Sequence, residues 1–241
     1  MTAVLELRGV AKSFGRTPVL RDATLAVAKG ERLALIGPNG AGKTTLFELI
    51  SGRAAPSAGQ ILLNGRRIDG LDASTVQRLG LGRSHQVSQL FPRLTVAEHL
   101  RCALLQGRSG WRWPALDRDV AAWLTRLALQ DRADMRAAEL SYADQRALEI
   151  GLAAAGGSPL LLLDEPSAGM SRSETQCCVA LIRDLAEGRT LVVIEHDMAV
   201  VFRLADRIAV LVDGAFIAVG TPEQVRADPR VQQAYLGATH A

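Results

Sequence analysis

Lysine is nearly missing from this sequence: only Lys12, Lys29 and Lys43 stand among 28 basic residues, the rest being arginine. Arginine therefore reads as a compositional habit, and a lysine inside a glycine loop becomes the informative one. Cysteine is scarce too. Three residues, two of them adjacent (Cys177 and Cys178), make neither a disulfide framework nor a metal-ligand spacing, and the four histidines are scattered. No run approaches 18 apolar residues, which excludes a membrane-spanning helix. The start, MTAVLELRGVAKSFG, has no basic stretch followed by an apolar one, so no secretory signal is expected and the chain reads as reduced and intracellular. Charge of either sign is not in excess: 28 basic against 25 acidic residues leave a formal +3, a weak argument for any partner. What remains is 241 residues, 22 of them glycine and 48% hydrophobic. That suffices for one α/β domain with a smaller appendage, is too short for two large domains, and is too apolar for a disordered tail.

The first thirty residues read as strands, with Val4 to Arg8 alternating and Val19 to Ala28 less regular, joined through a turn at Gly15. Leu33 to Ile36 is a buried strand flowing into a glycine loop. Thr44 to Ile50 is a helix stopped by Ser51-Gly52, and Ile61 to Leu63 is a strand entering an Asn64-Gly65 turn. From about Arg83 to Glu139 the character changes. Val96 to Leu105 and Leu116 to Leu129 carry helical periodicity around the polar stretch QGRSGWRWP, which indicates a helical subdomain inserted between sheet elements. Continuous apolar strands then return at Leu160–Leu163, Leu191–Ile194 and Ile208–Val212, separated by helices at Ser171–Glu187 and Met198–Leu204. This is the pattern of a parallel sheet covered on both faces. Ala215 to Val219 closes a hairpin, and Pro222 to Leu236 reads as one or two terminal helices.

Gly37-Pro38-Asn39-Gly40-Ala41-Gly42-Lys43-Thr44 matches G-x-x-x-x-G-K-[ST] between a strand and a helix. Phosphate oxygens need a concave row of backbone N–H groups, and only small residues let the chain wrap that tightly. The helix N-terminus adds its unsatisfied donors. Lys43 reaches the β and γ phosphates, and the Thr44 hydroxyl is placed for Mg²⁺. A chance match in this composition is roughly 0.2% over the chain before the strand and helix are required.

About 120 residues further on, Asp164 and Glu165 end the strand Leu160–Leu163, where ligands bind in open α/β sheets. Asp164 suits Mg²⁺, and Glu165 suits a base that polarises attacking water. Pro166 stops the strand and is expected to hold the following loop extended. Glu195-His196-Asp197 follows the next strand. These three look superficially like a triad, but adjacent residues of an extended strand point to opposite faces and cannot form one.

Read together, these features resemble the nucleotide-binding subunit of ABC transporters, a P-loop NTPase with an N-terminal antiparallel β subdomain and an inserted helical subdomain. The resemblance covers nearly the whole chain through the phosphate loop, LLLLDEPSAGM and VVIEHDM. It implies a single ATP-binding domain over 1–241, a helical subdomain over about 83–139 and a helical tail over 222–241. It implies catalytic roles for Glu165 as base, His196 as the switch histidine on the γ-phosphate, Lys43, and Gln86 of the Q-loop. Nucleotide contacts fall on Phe14, stacking on adenine, on Gly37, Pro38, Asn39, Gly40, Ala41, Gly42, Lys43, Thr44 and Thr45, and on Ser141. Mg²⁺ ligation falls on Thr44, Gln86 and Asp164, and the D-loop on Ser167-Ala168-Gly169-Met170. Closer still, LFPRLTVAEHL, SAGMS and VRADPRVQQAYLG resemble the branched-chain amino acid subclass, of its longer type. The expected role is to power a membrane importer from its cytoplasmic face. Partners would be a second ATP-binding subunit, permease subunits and, indirectly, an extracytoplasmic solute-binding protein, with no nucleic acid. A urea or short-amide importer uses nearly the same ATPase.

One departure stands out. The resemblance implies a signature loop, LSGGQ in the family or a variant near LAYGQQR in this subclass, that pins the γ-phosphate of the opposite subunit; this chain has Leu140-Ser141-Tyr142-Ala143-Asp144-Gln145-Arg146 there. Ser141 and a helix over Tyr142–Ala154 remain to face phosphate. Ala143 adds a methyl at close approach, and Asp144 puts negative charge near a polyphosphate, which predicts a weakened composite site. A weakly or non-hydrolysing partner subunit is the alternative reading. His85 also stands where the subclass has an aromatic. Trp111 and Trp113 are expected to cover the edge of the helical subdomain, Cys177 and Cys178 to be unreactive inside a helix, and Arg136 to be a surface or capping residue.

Overall fold

The computed structural model describes residues 2–84, 89–105 and 113–237. Gln86 and His85, and Trp111 of the polar loop, lie outside the described residues. The chain opens with two long antiparallel strands, β1 (Ala3–Phe14) and β2 (Thr17–Ala28), that turn at Gly15. β3 (Arg32–Ile36) then enters the phosphate loop, and α1 (Lys43–Ile50) leaves it. β4 (Ala58–Leu63) and the two-residue β5 (Arg66–Arg67) return to the first sheet, whose order is β2-β1-β4-β5. Next come α2 (Ala73–Arg78) and β6 (Leu81–Arg83), short elements that the sequence periodicity does not disclose.

The helical part of the chain follows. It contains α3 (Val96–Leu105), α4 (Trp113–Arg126) and two single 3₁₀ turns at Gln130–Arg132 and Ala137–Glu139, and α5 (Tyr142–Ala155) leads from it back to the sheet. α4 ends three residues before the expected Leu129, because Ala128 turns left-handed at φ 56°. The remainder alternates β7 (Leu160–Asp164), α6 (Arg172–Ala186), β8 (Thr190–Ile194), α7 (Met198–Leu204), β9 (Arg207–Val212) and β10 (Ala215–Gly220), then α8 (Pro222–Ala227) and α9 (Pro229–Gly237).

The second sheet runs β10-β9-β3-β8-β7-β6, parallel except for the β10 hairpin. β7 and β8 are buried at every residue, as expected of strands covered on both faces. Their side chains alternate between two cores. Leu161, Leu163 and Val193 join the helices. Leu160, Leu162 and Val192 join the β1–β2 sheet and α1. Register then places the functional segments: Leu35 of β3 and Asp164 of β7 both pair with Ile194 of β8. Three strand ends thus lie side by side, each continuing into a loop on the same edge. Among the described residues no helix is long and apolar enough to cross a membrane.

Candidate functional site

The phosphate loop is shaped by two glycines. A Cβ on Gly37 would meet the Leu211 carbonyl oxygen at 2.0 Å, so no side chain fits there. Gly42 has φ 101°, and its Cβ would meet Leu20 Cδ2 at 2.9 Å while α1 begins at the next residue. Lys43 is buried and its Nζ donates to the carbonyls of Gly37 at 2.8 Å and Pro38 at 2.9 Å, both within the loop it serves. Burial pushes its ammonium below the ordinary lysine value, and the charges of Glu165 and Asp164 act against that. Thr44 is exposed and Thr45 half-buried at the first turn of α1.

Asp164 ends β7 with 1% of its surface exposed. Burial raises its carboxyl above the usual range, opposed by the Arg83 guanidinium 3.6 Å from Oδ2. Arg83 is anchored by donating to Ser51 Oγ at 2.6 Å. The other oxygen, Asp164 Oδ1, is buried with no hydrogen-bond partner. A buried orphan carboxylate oxygen near a phosphate loop fits Mg²⁺, which takes oxygen ligands from one or two carboxylates and shares the rest with substrate phosphates. Among the described residues no cluster of three or more His, Cys, Asp or Glu could hold a metal by itself. The chemistry that Mg²⁺ supplies is neutralisation of charge on the transferred phosphoryl group.

Glu165 and His196 come together although 31 residues separate them: His196 Nε2 lies 2.5 Å from Glu165 Oε1. Glu165 has φ 47°, a left-handed conformation that costs a non-glycine residue about 1–3 kcal/mol. The loop after Pro166 is therefore not extended as expected. It turns back through Ala168 N donating to Glu165 O at 3.2 Å and Met170 N to Ser167 O at 3.3 Å. Two groups hold it. Glu165 N donates to Ile194 O at 3.0 Å, and the Arg146 guanidinium donates to Glu165 O at 2.9 Å, Pro166 O at 3.3 Å and Asp164 O at 3.4 Å. These carbonyl bonds outweigh the extended preference of the residue before a proline.

Sequence reasoning passed over Arg146 as anything but the last letter of a motif. It is 2% exposed and also pairs with Glu149 at 2.9 Å, whose other oxygen accepts from Gln89 N at 3.2 Å. Glu195, His196 and Asp197 form no triad, but not through strand alternation: β8 ends at Ile194, and the three lie in the bend that leads into α7. Glu195 is buried and accepts from Ser167 N at 3.0 Å and Oγ at 2.7 Å, His196 meets Glu165, and Asp197 caps α7 through Ala199 N at 2.8 Å.

Ser141 is the exposed N-cap of α5. Its Oγ accepts from Asp144 N at 3.2 Å and donates to Asp144 Oδ2 at 2.7 Å. Asp144 also pairs with Arg132 at 3.1 Å, so its charge is not bare. Tyr142 Oη donates to Ala168 O at 3.0 Å, tying α5 to the D-loop. Phe14 is 53% exposed at the end of β1, with Lys12 Nζ 4.9 Å from its ring centroid. Arg136 precedes a 3₁₀ turn, its N–H donating to Glu139 at 3.2 Å. Both cysteines lie inside α6, but Cys178 is buried while Cys177, one position round the helix, is exposed, so burial accounts for the expected inertness of Cys178 only.

The profile of the family described as "ABC transporter" matches residues 20–168, and that of "Branched-chain amino acid ATP-binding cassette transporter" matches residues 217–241. The high-affinity branched-chain amino acid transport ATP-binding protein LivG of Escherichia coli (strain K12) is 39% identical over 250 residues, spanning 97% of this chain and 98% of LivG. BraF of Pseudomonas aeruginosa, of the same description, is 37% identical over 97% of this chain and 98% of its own length. Among solved structures, the ADP conformation of an ATP-binding cassette of an ABC transporter aligns with a TM-score of 0.86 at 27% identity, covering 98% of this chain and all of that one.

Proposed function

The chain belongs to the ABC transporter family, among the branched-chain amino acid ATP-binding subunits, and from that premise we propose that it powers the uptake of branched-chain amino acids through a membrane permease. It is an ATP-hydrolysing subunit that works with Mg²⁺. The observation that carries the catalytic reading is the convergence of three strand ends, which bring Lys43, Asp164, Glu165 and His196 to one edge of the sheet. Similarity to LivG over nearly the full length of both chains supports the solute.

The division of labour follows from the side chains. Backbone N–H groups of Gly40 to Thr44 receive the β-phosphate, and Lys43 exchanges its bonds to the Gly37 and Pro38 carbonyls for phosphate oxygens. Thr44, Gln86 and Asp164 would hold Mg²⁺, which would neutralise charge on the transferred phosphoryl group. Glu165, oriented by His196, takes the proton of the attacking water, and His196 meets the γ-phosphate. Phe14, exposed at the strand end, stacks on adenine. Ser141 contacts the nucleotide of a second ATP-binding subunit, either another copy or a paralogue, so that two subunits enclose two nucleotides. The whole chain, 1–241, acts as one ATP-binding domain with a helical tail over 222–241, and the helical subdomain over about 83–139 carries the movement to the permease on the cytoplasmic side of the membrane.

The test is reconstitution. The chain is purified with its permease and assayed in proteoliposomes with the solute-binding protein that stimulates that permease. Turnover is expected to rise when that protein carries leucine, isoleucine or valine. Stimulation by urea or a short amide alone would overturn the solute assignment.

A further inference from the structure

The signature loop contains a charge arrangement that its sequence alone does not disclose. A serine hydroxyl has one proton to give. Here Ser141 gives it to Asp144 Oδ2 at 2.7 Å, while accepting from Asp144 N at 3.2 Å. A phosphate oxygen arriving from a second subunit requires that same proton. Once the hydroxyl turns toward phosphate, the Asp144 carboxylate loses a donor and faces an anion. Arg132 stands on its far side, 3.1 Å from the same oxygen, with 42% of its side chain exposed. Its place is fixed by the 3₁₀ turn that carries it: Arg132 N donates to Leu129 O at 3.0 Å, Met135 N donates to Arg132 O at 3.0 Å, and Leu129 is fully buried. Gln145 Nε2 holds the other wall by donating to Ala137 O at 3.1 Å and Leu140 O at 3.2 Å.

We propose that Arg132 is a positioning residue of the signature loop, taking over the Asp144 carboxylate when the Ser141 hydroxyl is handed to the γ-phosphate bound on the opposite subunit. The proposal rests on the reading above that Ser141 makes that contact. It explains how the chain tolerates a carboxylate where its subclass has glutamine: the negative charge comes with its own cation, and the approaching phosphate meets a neutral pair. Arg132 acts only through Asp144 and touches neither nucleotide nor water in the reaction. Its importance therefore exists only while residue 144 is charged, a dependence that a merely structural arginine would not show.

The experiment uses the intact complex, purified from membranes through a tag on this chain, with Mg²⁺–ATP turnover as the readout. Arg132→Gln is expected to lower kcat about five- to tenfold with a smaller change in KM. Adding Asp144→Asn to Arg132→Gln is expected to restore kcat to within about twofold of the parent. Unchanged turnover in Arg132→Gln overturns the proposal, as does a double variant as slow as Arg132→Gln alone. Ser141→Ala separates the two layers. If it lowers turnover while Arg132→Gln does not, only the role of Arg132 falls. If Ser141→Ala has no effect, the trans contact itself is refuted and the proposal goes with it.

Discussion

Replacing Arg146 with methionine removes the group that joins α5 to the catalytic turn while keeping an unbranched apolar stem. The guanidinium is buried and divides its donors between Glu149 and the carbonyls of three consecutive residues, Asp164, Glu165 and Pro166. The variant leaves the Glu149 carboxylate, 8% exposed, without its cation. Breaking one side of a buried ion pair costs about 3–5 kcal/mol, because the remaining charge is desolvated and uncompensated. For a chain of this size that corresponds to a fall in Tm of roughly 6–20 °C. The double variant Arg146→Met with Glu149→Met removes the orphan charge but still strips the carbonyls of their donor. It is expected to regain about 1–3 kcal/mol of the loss, not all of it. Urea unfolding of the parent and both variants, read through the same spectroscopic signal, supplies the three free energies. An Arg146→Met variant within about 1 kcal/mol of the parent would refute the claim that this guanidinium holds the turn, and so would a double variant less stable than the single one.

Three further outcomes rest on the same packing. Gly37→Ala sets a methyl against the Leu211 carbonyl, so the loop must shift, and titration with a fluorescent nucleotide is expected to show at least about tenfold weaker binding. Burial pushes the Cys178 thiol up to about 12, so maleimide at pH 7.5 is expected to label Cys102 and Cys177 in the native chain and Cys178 only after unfolding; rapid labelling of all three would contradict the packing. Arg32 holds the Asp206 carboxyl below the usual carboxylate range, through bonds at 2.5 and 3.1 Å that join the starts of β3 and β9. A depressed folded value adds stability that is present above the unfolded value of about 3.9 and is lost as pH falls through the folded one. The gap in unfolding free energy between the parent and Asp206→Asn is thus expected to be full at pH 7 and to close in acid; a gap that persists at pH 2 would contradict the linkage.

Local spacing carried most of what could be read in advance. The phosphate loop is eight consecutive residues whose backbone does the binding, so its geometry is written in its glycines. The apolar runs that became β3, β7, β8 and β9 were legible because a strand covered on both faces has no polar positions to interrupt it. What stayed hidden was built from contacts across the chain. Arg146 is one arginine among many until the fold lays it under three carbonyls eighteen to twenty residues away. The left-handed Glu165 runs against the local rule for a residue before proline, held there by that clamp together with the Ile194 carbonyl. Asp144 was placed in the first turn of a helix, but its partner Arg132 lies twelve residues upstream with no periodicity linking them, so its charge read as unopposed. α2 and β5 escaped because six and two residues are too few to show a period.

Glu165→Gln tests the central claim most directly, since it keeps the shape of the side chain and removes the base. Mg²⁺–ATP hydrolysis and ATP binding are measured on the same preparation of the intact complex. Hydrolysis is expected to fall by roughly 10²-fold or more while binding persists, so that the ATP-bound form accumulates. Turnover equal to that of the parent would contradict the assignment of Glu165 and the reading of the site built around it.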